Sequence, residues 1–292
     1  MFKGAYTALV TPFRDNAVDE KALRDIVEFQ ILEGIDGLVP CGTTGESATL
    51  NYEEHKRVIE ITIDAGGGRV PVIAGTGSNS TDETITLTRH AKEAGAAGAL
   101  LITPYYNKPA QEGLYLHYKA VAEAVDIPII LYNVPGRTAV NMLPETVARL
   151  SEIENIVGLK EATADMEQGS WVRALCNDDF ALLSGDDATL LPFLAIGGSG
   201  VISVVSNVVP SDMAALCRAW SEGDRDKAKA LHYKLLPLAK VMFCETNPIP
   251  VKEAVHMMGL MTEELRLPLT RLSAEDRAKL GSVMKEMGII KG

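Results

Sequence analysis

No two of the four cysteines stand in a CxxC spacing, and none of the five histidines pairs with another as HxxxH. Cys41, Cys176, Cys217 and Cys244 are far apart, which argues against both a zinc ribbon and a disulfide framework. Reduced, mostly buried thiols and no catalytic metal are expected. No window approaches the ~18 uninterrupted apolar residues of a membrane span. The start, "MFKGAYTALVTPF", lacks the apolar core and small-residue cleavage site of a signal peptide. A soluble, cytoplasmic protein is expected, with no membrane partner. Positive charge is in deficit, with 28 Lys and Arg against 39 Asp and Glu and a formal net charge of −11. Such a chain repels phosphate backbones, and it has no basic patch with interleaved aromatics, so nucleic-acid binding is not expected. Low-complexity tracts and flexible linkers are also missing.

What the chain does have is a beat. Apolar residues make up 47% of its 292 positions, enough for a substantial core in one large domain. Short apolar runs recur: "AYTALV" (5–10), "GLVP" (37–40), "VPVIAG" (70–75), "GALLIT" (98–103), "IPIILYNV" (127–134), "IVGLKEA" (156–162), "FALLSG" (180–185) and "GVISVV" (200–205). Between them lie amphipathic stretches such as "DEKALRDIVEFQILEG" and "STDETITLTRHAKEAG". Runs alternating with helices read as βα units on a parallel sheet. Eight of them indicate an α/β fold, a (β/α)8 TIM barrel. The alternative is an open doubly wound sheet, weakened by the lack of a GxGxxG fingerprint after the first strand. Asn51 with Glu54, and Ser80 with Glu83, have the spacing of capping boxes. The barrel, carrying the active site, is placed at residues 1–224. Residues 225–292 read as a C-terminal helical extension.

In a barrel the functional face lies at the C-terminal ends of the strands. Five strands run there into polar loops: "CGTTGES" (41–47), "GTGSN" (75–79), "TPYYNKP" (103–109), "YNVPGRT" (132–138) and "SGDD" (184–187). Lys160 stands out because an ammonium is costly to bury without a partner. On its own it could be a surface lysine with its stem along the protein and its head in water. Strict alternation, however, puts Ile156, Gly158 and Lys160 on one face and Val157, Leu159 and Glu161 on the other. If the first set points inward, Lys160 enters the upper lumen, with Gly158 leaving room for a neighbouring side chain. Desolvation there favours a neutral amine, which attacks carbonyls to form a Schiff base. Tyr132, on the adjacent strand, could then move protons, or could simply fill barrel volume. Thr43 and Thr44 and their loop amides could hold a carboxylate. Arg137, presented from a rigid Pro-Gly hairpin, suits a carboxylate too, unless an acid already pairs with it.

In this order, "ALVTPF", "CGTTGES", "GTGSN", "TPYYNKP", "YNVPGRT", "GLKEAT", "SGDD" and "NPIPVK" resemble the dihydrodipicolinate synthase family of the pyruvate-dependent class I aldolases. The resemblance runs from about residue 4 to about residue 260. It implies condensation of pyruvate with L-aspartate 4-semialdehyde, the first committed step of the diaminopimelate route to lysine. Lys160 would form the Schiff base and serve as electron sink, so no organic cofactor is expected. Thr43, Tyr132 and Tyr106 would form a proton relay, with Tyr106 supplied by a neighbouring subunit. Thr44 would bind the pyruvate carboxylate and Arg137 that of the semialdehyde. Gly185 and Ile202 would line the pocket through backbone atoms. A homotetramer built as a dimer of dimers is implied. So is feedback inhibition by L-lysine, at Ser47, Ala48, His55, Asn79, Glu83 and Tyr105. Some lysine-sensitive members carry a second histidine where this chain has Tyr52.

Rival expectations remain open at this level. A sister lyase, such as N-acetylneuraminate lyase or a 2-keto-3-deoxy sugar-acid aldolase, shares the barrel, lysine and tyrosine. It wants hydroxyl-binding residues where this chain offers "PGRT". A phosphate-binding barrel would use Gly-rich loops after strands seven and eight, but "GGSG" (197–200) precedes strand eight. A catalytically dead barrel would fail to trap pyruvate on Lys160.

Overall fold

Each of the eight apolar runs coincides with one strand of a parallel sheet, the first strand starting one residue before its run. They are β1 (Gly4–Ala8), β2 (Gly37–Val39), β3 (Ile73–Gly75), β4 (Gly98–Ile102), β5 (Ile129–Asn133), β6 (Ile156–Glu161), β7 (Ala181–Ser184) and β8 (Gly200–Ser203). The computed structural model describes residues 2–291. Neighbours in the sheet follow the order β2-β1-β8-β7-β6-β5-β4-β3. The ring closes between β2 and β3 through a single bridge, Leu38 to Val72. Around that bridge Leu38 N donates to Pro71 O at 3.0 Å and Gly75 N to Pro40 O at 2.9 Å. The result is the expected (β/α)8 barrel.

Helices alternate with the strands: α1 (Glu20–Leu32), α2 (Tyr52–Gly66), α3 (Thr81–Ala94), α4 (Gln111–Ala124), α5 (Pro135–Thr138), α6 (Pro144–Ser151), α7 (Met166–Leu175), α8 (Leu190–Ala195) and α9 (Pro210–Ser221). Three more follow, α10 (Arg225–Val241), α11 (Ile249–Met257) and α12 (Ala274–Glu286). Leu238, Val255 and Leu280 from these three join the same apolar layer as α1, α2 and α9. An antiparallel hairpin, Phe13–Arg14 against Ala17–Val18, adds a feature the periodicity did not announce. It is too short to show alternation. Among the described residues no helix is long and apolar enough to cross a membrane. Cys41, Cys176 and Cys217 are buried free thiols, whereas Cys244 is exposed.

Two caps differ. Asn51 and Glu54 complete a reciprocal box, with the Asn51 side chain accepting from Glu54 N at 3.0 Å and Glu54 Oε2 from Asn51 N at 3.1 Å. At α3 only half forms. Ser80 Oγ accepts from Glu83 N at 3.5 Å, but the Glu83 carboxylate accepts instead from Ser78 Oγ at 2.6 Å. The expected box is corrected to a single cap, because a nearer hydroxyl takes the carboxylate.

The lumen is filled from nearly every strand by Tyr6, Ala8, Val39, Ile73, Leu100, Ile130, Tyr132, Leu183 and Ile202. Strand β6 is the exception. Ile129 pairs with Ile156 but Ile130 pairs with Gly158, so the ladder skips Val157. A skipped residue reverses the alternation below it. Ile156 therefore packs outward in the layer of Leu159 and Val172, not on the Lys160 face as strict alternation required, and Val157 packs partly against the lumen cluster. At Gly158 a Cβ would lie 2.6 Å from the Ala181 carbonyl oxygen, so the glycine admits the backbone of β7.

His117 on α4 is buried. Its Nδ1 bonds to Thr81 Oγ1 at 2.9 Å, while Nε2 has no partner among the described residues. Burial pulls the imidazole down from 6.5 to about 4. The unfolded chain therefore takes up this proton first, and stability present above pH 6.5 is lost progressively toward pH 4. At 1.36 kcal/mol per unit the loss reaches about 3 kcal/mol. The expected result is a urea midpoint that falls less between pH 6.5 and 4 in His117→Gln than in the parent. Parallel curves for the two proteins would rule this out.

Candidate active site

Lys160 stands one residue from the end of β6 and is 6% exposed. Tyr132 is its register partner on β5, and Lys160 Nζ lies 4.4 Å from the centroid of the tyrosine ring. The surface alternative for Lys160 is thereby excluded. Beneath the mouth of the barrel is a cavity of about 230 Å3 lined by Lys160, Tyr132, Thr43, Thr44, Arg137 and Gly185. Gly185 is required by close approach. A Cβ there would lie 2.5 Å from Ala162 Cβ and 3.1 Å from Lys160 Cε. Ile202 is fully buried in the lumen cluster and is not among the lining residues.

Residues 41–47 fold back on themselves to present the two threonines. Cys41 and Glu46 take left-handed backbone conformations, with φ of 56° and 52°. Gly45 N donates to Gly42 O at 3.1 Å, and Thr11 Oγ1 to Gly45 O at 2.7 Å. The loop is pinned below by a fully buried ion pair between Glu46 and Lys252. Glu46 Oε2 also accepts from Arg266 N at 3.1 Å. Lys252 Nζ and Arg266 Cζ each lie 4.3 Å from the centroid of the Phe13 ring. Burial pulls the Lys252 ammonium down, and the Glu46 carboxylate opposes this.

Arg137 is not on a hairpin. "PGRT" forms one helical turn, α5, ended by Ala139 at φ 58°. Proline at the first helical position favours that turn. The guanidinium has no carboxylate partner among the described residues. Its Nη2 donates to the backbone carbonyl of Asn247 at 2.9 Å, which removes the acid-paired alternative and leaves the cation at the cavity wall.

Outside the sheet a second network holds the strand ends. Glu161 accepts from Asn133 Nδ2 at 3.1 Å, Gln168 Nε2 at 2.8 Å and Thr163 N at 2.9 Å. Burial pushes its carboxyl up, and these donors oppose the shift. Asn133 and Glu161 directly follow Tyr132 and Lys160 on paired strands. Their bond on the outer face joins the same two strands that carry Tyr132 and Lys160 on the inner one.

A larger cleft of about 560 Å3 adjoins the first, sharing Thr43, Arg137 and Asn247 with it. It is lined by Ser47, Ala48, His55, Glu83 and Tyr105, with Tyr52 beside them. Asn79 stands outside the lining, its Nδ2 donating to Tyr105 O at 3.1 Å. His55 is buried, with Nε2 2.7 Å from Gly75 O, and burial pulls its imidazole down. The Ser78 hydroxyl, then the Tyr52 phenol, hold the Glu83 carboxyl below its usual range. Tyr106 reaches neither cavity. It is 90% exposed on a left-handed residue with φ of 72°.

Among the lining residues that sequence reasoning did not assign to the site are Asp186, Phe243 and Asn247. Asp186 stood in "SGDD" and Asn247 opened "NPIPVK", but nothing in either stretch marks which of its polar residues reaches the cavity. Phe243 gave no signal at all.

The family model described as the dihydrodipicolinate synthetase family matches residues 1–287. A 4-hydroxy-tetrahydrodipicolinate synthase of Syntrophus aciditrophicus is 61% identical over 290 residues, covering 99% of this chain and 100% of its own. The crystal structure of dihydrodipicolinate synthase from Aquifex aeolicus superposes with a TM-score of 0.98 at 50% identity, covering 100% of both chains. The chloride-inhibited enzyme of Acinetobacter baumannii complexed with pyruvate gives 0.97 at 49% identity, covering 99% of this chain and 100% of that one. The enzyme of Cyanidioschyzon merolae with lysine bound gives 0.96 at 39%, covering 99% of each.

Proposed function

The chain belongs to the dihydrodipicolinate synthetase family, and from that premise we propose how its own residues condense pyruvate with L-aspartate 4-semialdehyde. The reaction opens the diaminopimelate route to lysine. The supporting observation is a buried amine, Lys160, beside a phenol, Tyr132, in a cavity whose wall carries an arginine with no acid partner among the described residues. A sugar-acid lyase would have little use for that free guanidinium, whereas a second substrate with its own carboxylate would. No glycine-rich phosphate cradle lines the cavity.

Thr44 and the loop amides hold the pyruvate carboxylate. Lys160 Nζ adds to the ketone carbon, and loss of water gives an iminium. The iminium draws electrons from the methyl carbon, a proton leaves, and an enamine forms. Its carbon then attacks the aldehyde, whose carboxylate Arg137 holds, and the new oxyanion takes a proton. Finally the substrate's own amine adds to the iminium carbon, closes the ring and releases Lys160. Tyr132, Thr43 and Tyr106 carry the protons. Tyr106, exposed on this protomer, enters the site of a second copy in a homotetramer. Gly185 lines the pocket, Ile202 backs it from the lumen, and residues 225–292 extend the barrel of residues 1–224. The enzyme works in the cytoplasm.

The deciding experiment couples the product to its reductase and follows NADPH consumption. Turnover supports this function. Pyruvate retained on Lys160 after borohydride, without turnover, would move it to a sister lyase.

The larger cleft fits L-lysine as inhibitor, with Glu83 as the ammonium receiver among Ser47, Ala48, His55 and Tyr105, and Asn79 behind them. Removing one charge-assisted hydrogen bond changes an affinity about tenfold or more. Glu83→Ala is therefore expected to raise the half-inhibiting lysine concentration by at least that factor. Unaltered inhibition would remove this site assignment.

A further inference from the structure

Asn247 lies in the connection between α10 and α11, 5% exposed, and borders both cavities. Its two ends touch two different substrate-binding groups. The side-chain Nδ2 donates to Thr44 Oγ1 at 3.0 Å. The backbone carbonyl accepts from Arg137 Nη2 at 2.9 Å. The third polar atom, Oδ1, is buried with no partner among the described residues.

The direction of the first bond matters. A threonine hydroxyl has one proton to give. When an amide N–H occupies a lone pair of Oγ1, that proton remains free for a carboxylate. With the amide reversed, Oδ1 would accept the Thr44 proton, and the hydroxyl would face a carboxylate with lone pairs alone. The observed orientation leaves Oδ1 unmet and Thr44 able to donate. The second bond depends on the first. The tie to Thr44 fixes the Asn247 main chain against the folded loop of residues 41–47, and so fixes the carbonyl that holds Arg137.

We propose that Asn247 is a positioning residue that sets the donor direction of Thr44 and the place of Arg137, and so the spacing between the two substrate carboxylates. This rests on the function assigned above and adds a residue to it. The hydrogen bonds of Asn247 go to Thr44 and Arg137, not to the nucleophile or the proton relay, so its loss acts on KM for both substrates and leaves kcat nearly intact.

The test compares Asn247→Ala with Asn247→Asp by initial rates, titrating each substrate separately. Alanine removes the donor, and about a tenfold rise in both KM values is expected, the equivalent of 1.4 kcal/mol. Aspartate keeps the size, takes the Thr44 proton and adds a negative charge beside both carboxylates. It is expected to raise both KM values by a further factor of about ten or more. An aspartate variant no worse than alanine, or a fall in kcat at unchanged KM, would overturn the proposal. Should the buried aspartate prevent folding, alanine decides alone, and unchanged KM values overturn it. Failure of the parent enzyme to turn over or to trap pyruvate would instead remove the underlying function. Normal parent turnover with indifferent Asn247 variants removes only this inference.

Discussion

Lys160→Ala loses turnover by a factor on the order of 10^3 or more and no longer retains pyruvate after borohydride, while its thermal midpoint stays at or above that of the parent. The first part follows from the chemistry. Removing the nucleophile of a covalent mechanism leaves only binding and polarisation by the surrounding groups. The second part follows from burial. Lys160 is 6% exposed and no carboxylate pairs with it among the described residues. An amine in such a place adds little to the stability of the fold, so its removal costs nothing and leaves space continuous with the cavity. Circular dichroism, turnover and mass after borohydride together check the claim. A variant that is unfolded, or that still traps pyruvate, would show that the lysine is structural or that another amine carries the chemistry.

Lys252→Met is expected to destabilise the protein by about 3–5 kcal/mol, the usual effect of stranding one partner of a buried pair. Glu46→Gln should cost less, because a neutral amide remains to accept from Lys252 and from Arg266 N. The double variant should recover most of the loss, since neither charge then remains buried. Both side chains of the pair are 0% exposed, which places them among the cases where desolvation rivals attraction. At about 2–4 °C per kcal/mol for a large domain, Lys252→Met lowers the thermal midpoint by roughly 6–20 °C. A loss below about 1 kcal/mol, or a double variant no better than the singles, would show that the pair is not coupled as described. Activity should fall with stability, because Glu46 sits two residues beyond Thr44 in the loop that Lys252 secures.

The barrel was legible because its strands announce themselves. Eight short apolar runs, each closed by a turn, leave few other architectures. Lys160 was legible because a lysine in such a run contradicts its surroundings. What the pattern could not give was register. One skipped residue, Val157, moved Ile156 to the outer layer, and nothing in "NIVGLKEA" marks it. Helix or hairpin for "PGRT" was equally undetermined, since proline and glycine serve both. Glu83 had the spacing of a capping box, but Ser78 competes for its carboxylate, and only folding brings that competitor close. Asn247 and Lys252 lie some 200 residues from their partners Thr44 and Glu46. Partnerships at such separation are written in three dimensions alone.

Strands β2 and β3 meet at one bridge, while every other pair of neighbours is joined by a ladder of two or more. A hoop with one weak joint deforms at that joint. The two segments that leave it, residues 41–47 and 75–79, carry Thr43 and Thr44 on one side and the supports of Glu83 and Tyr105 on the other. Lys160 and Tyr132 stand away from it on well-paired staves. The sparsest pairing of the ring thus lies under the larger cleft, and its fuller ladders under the amine.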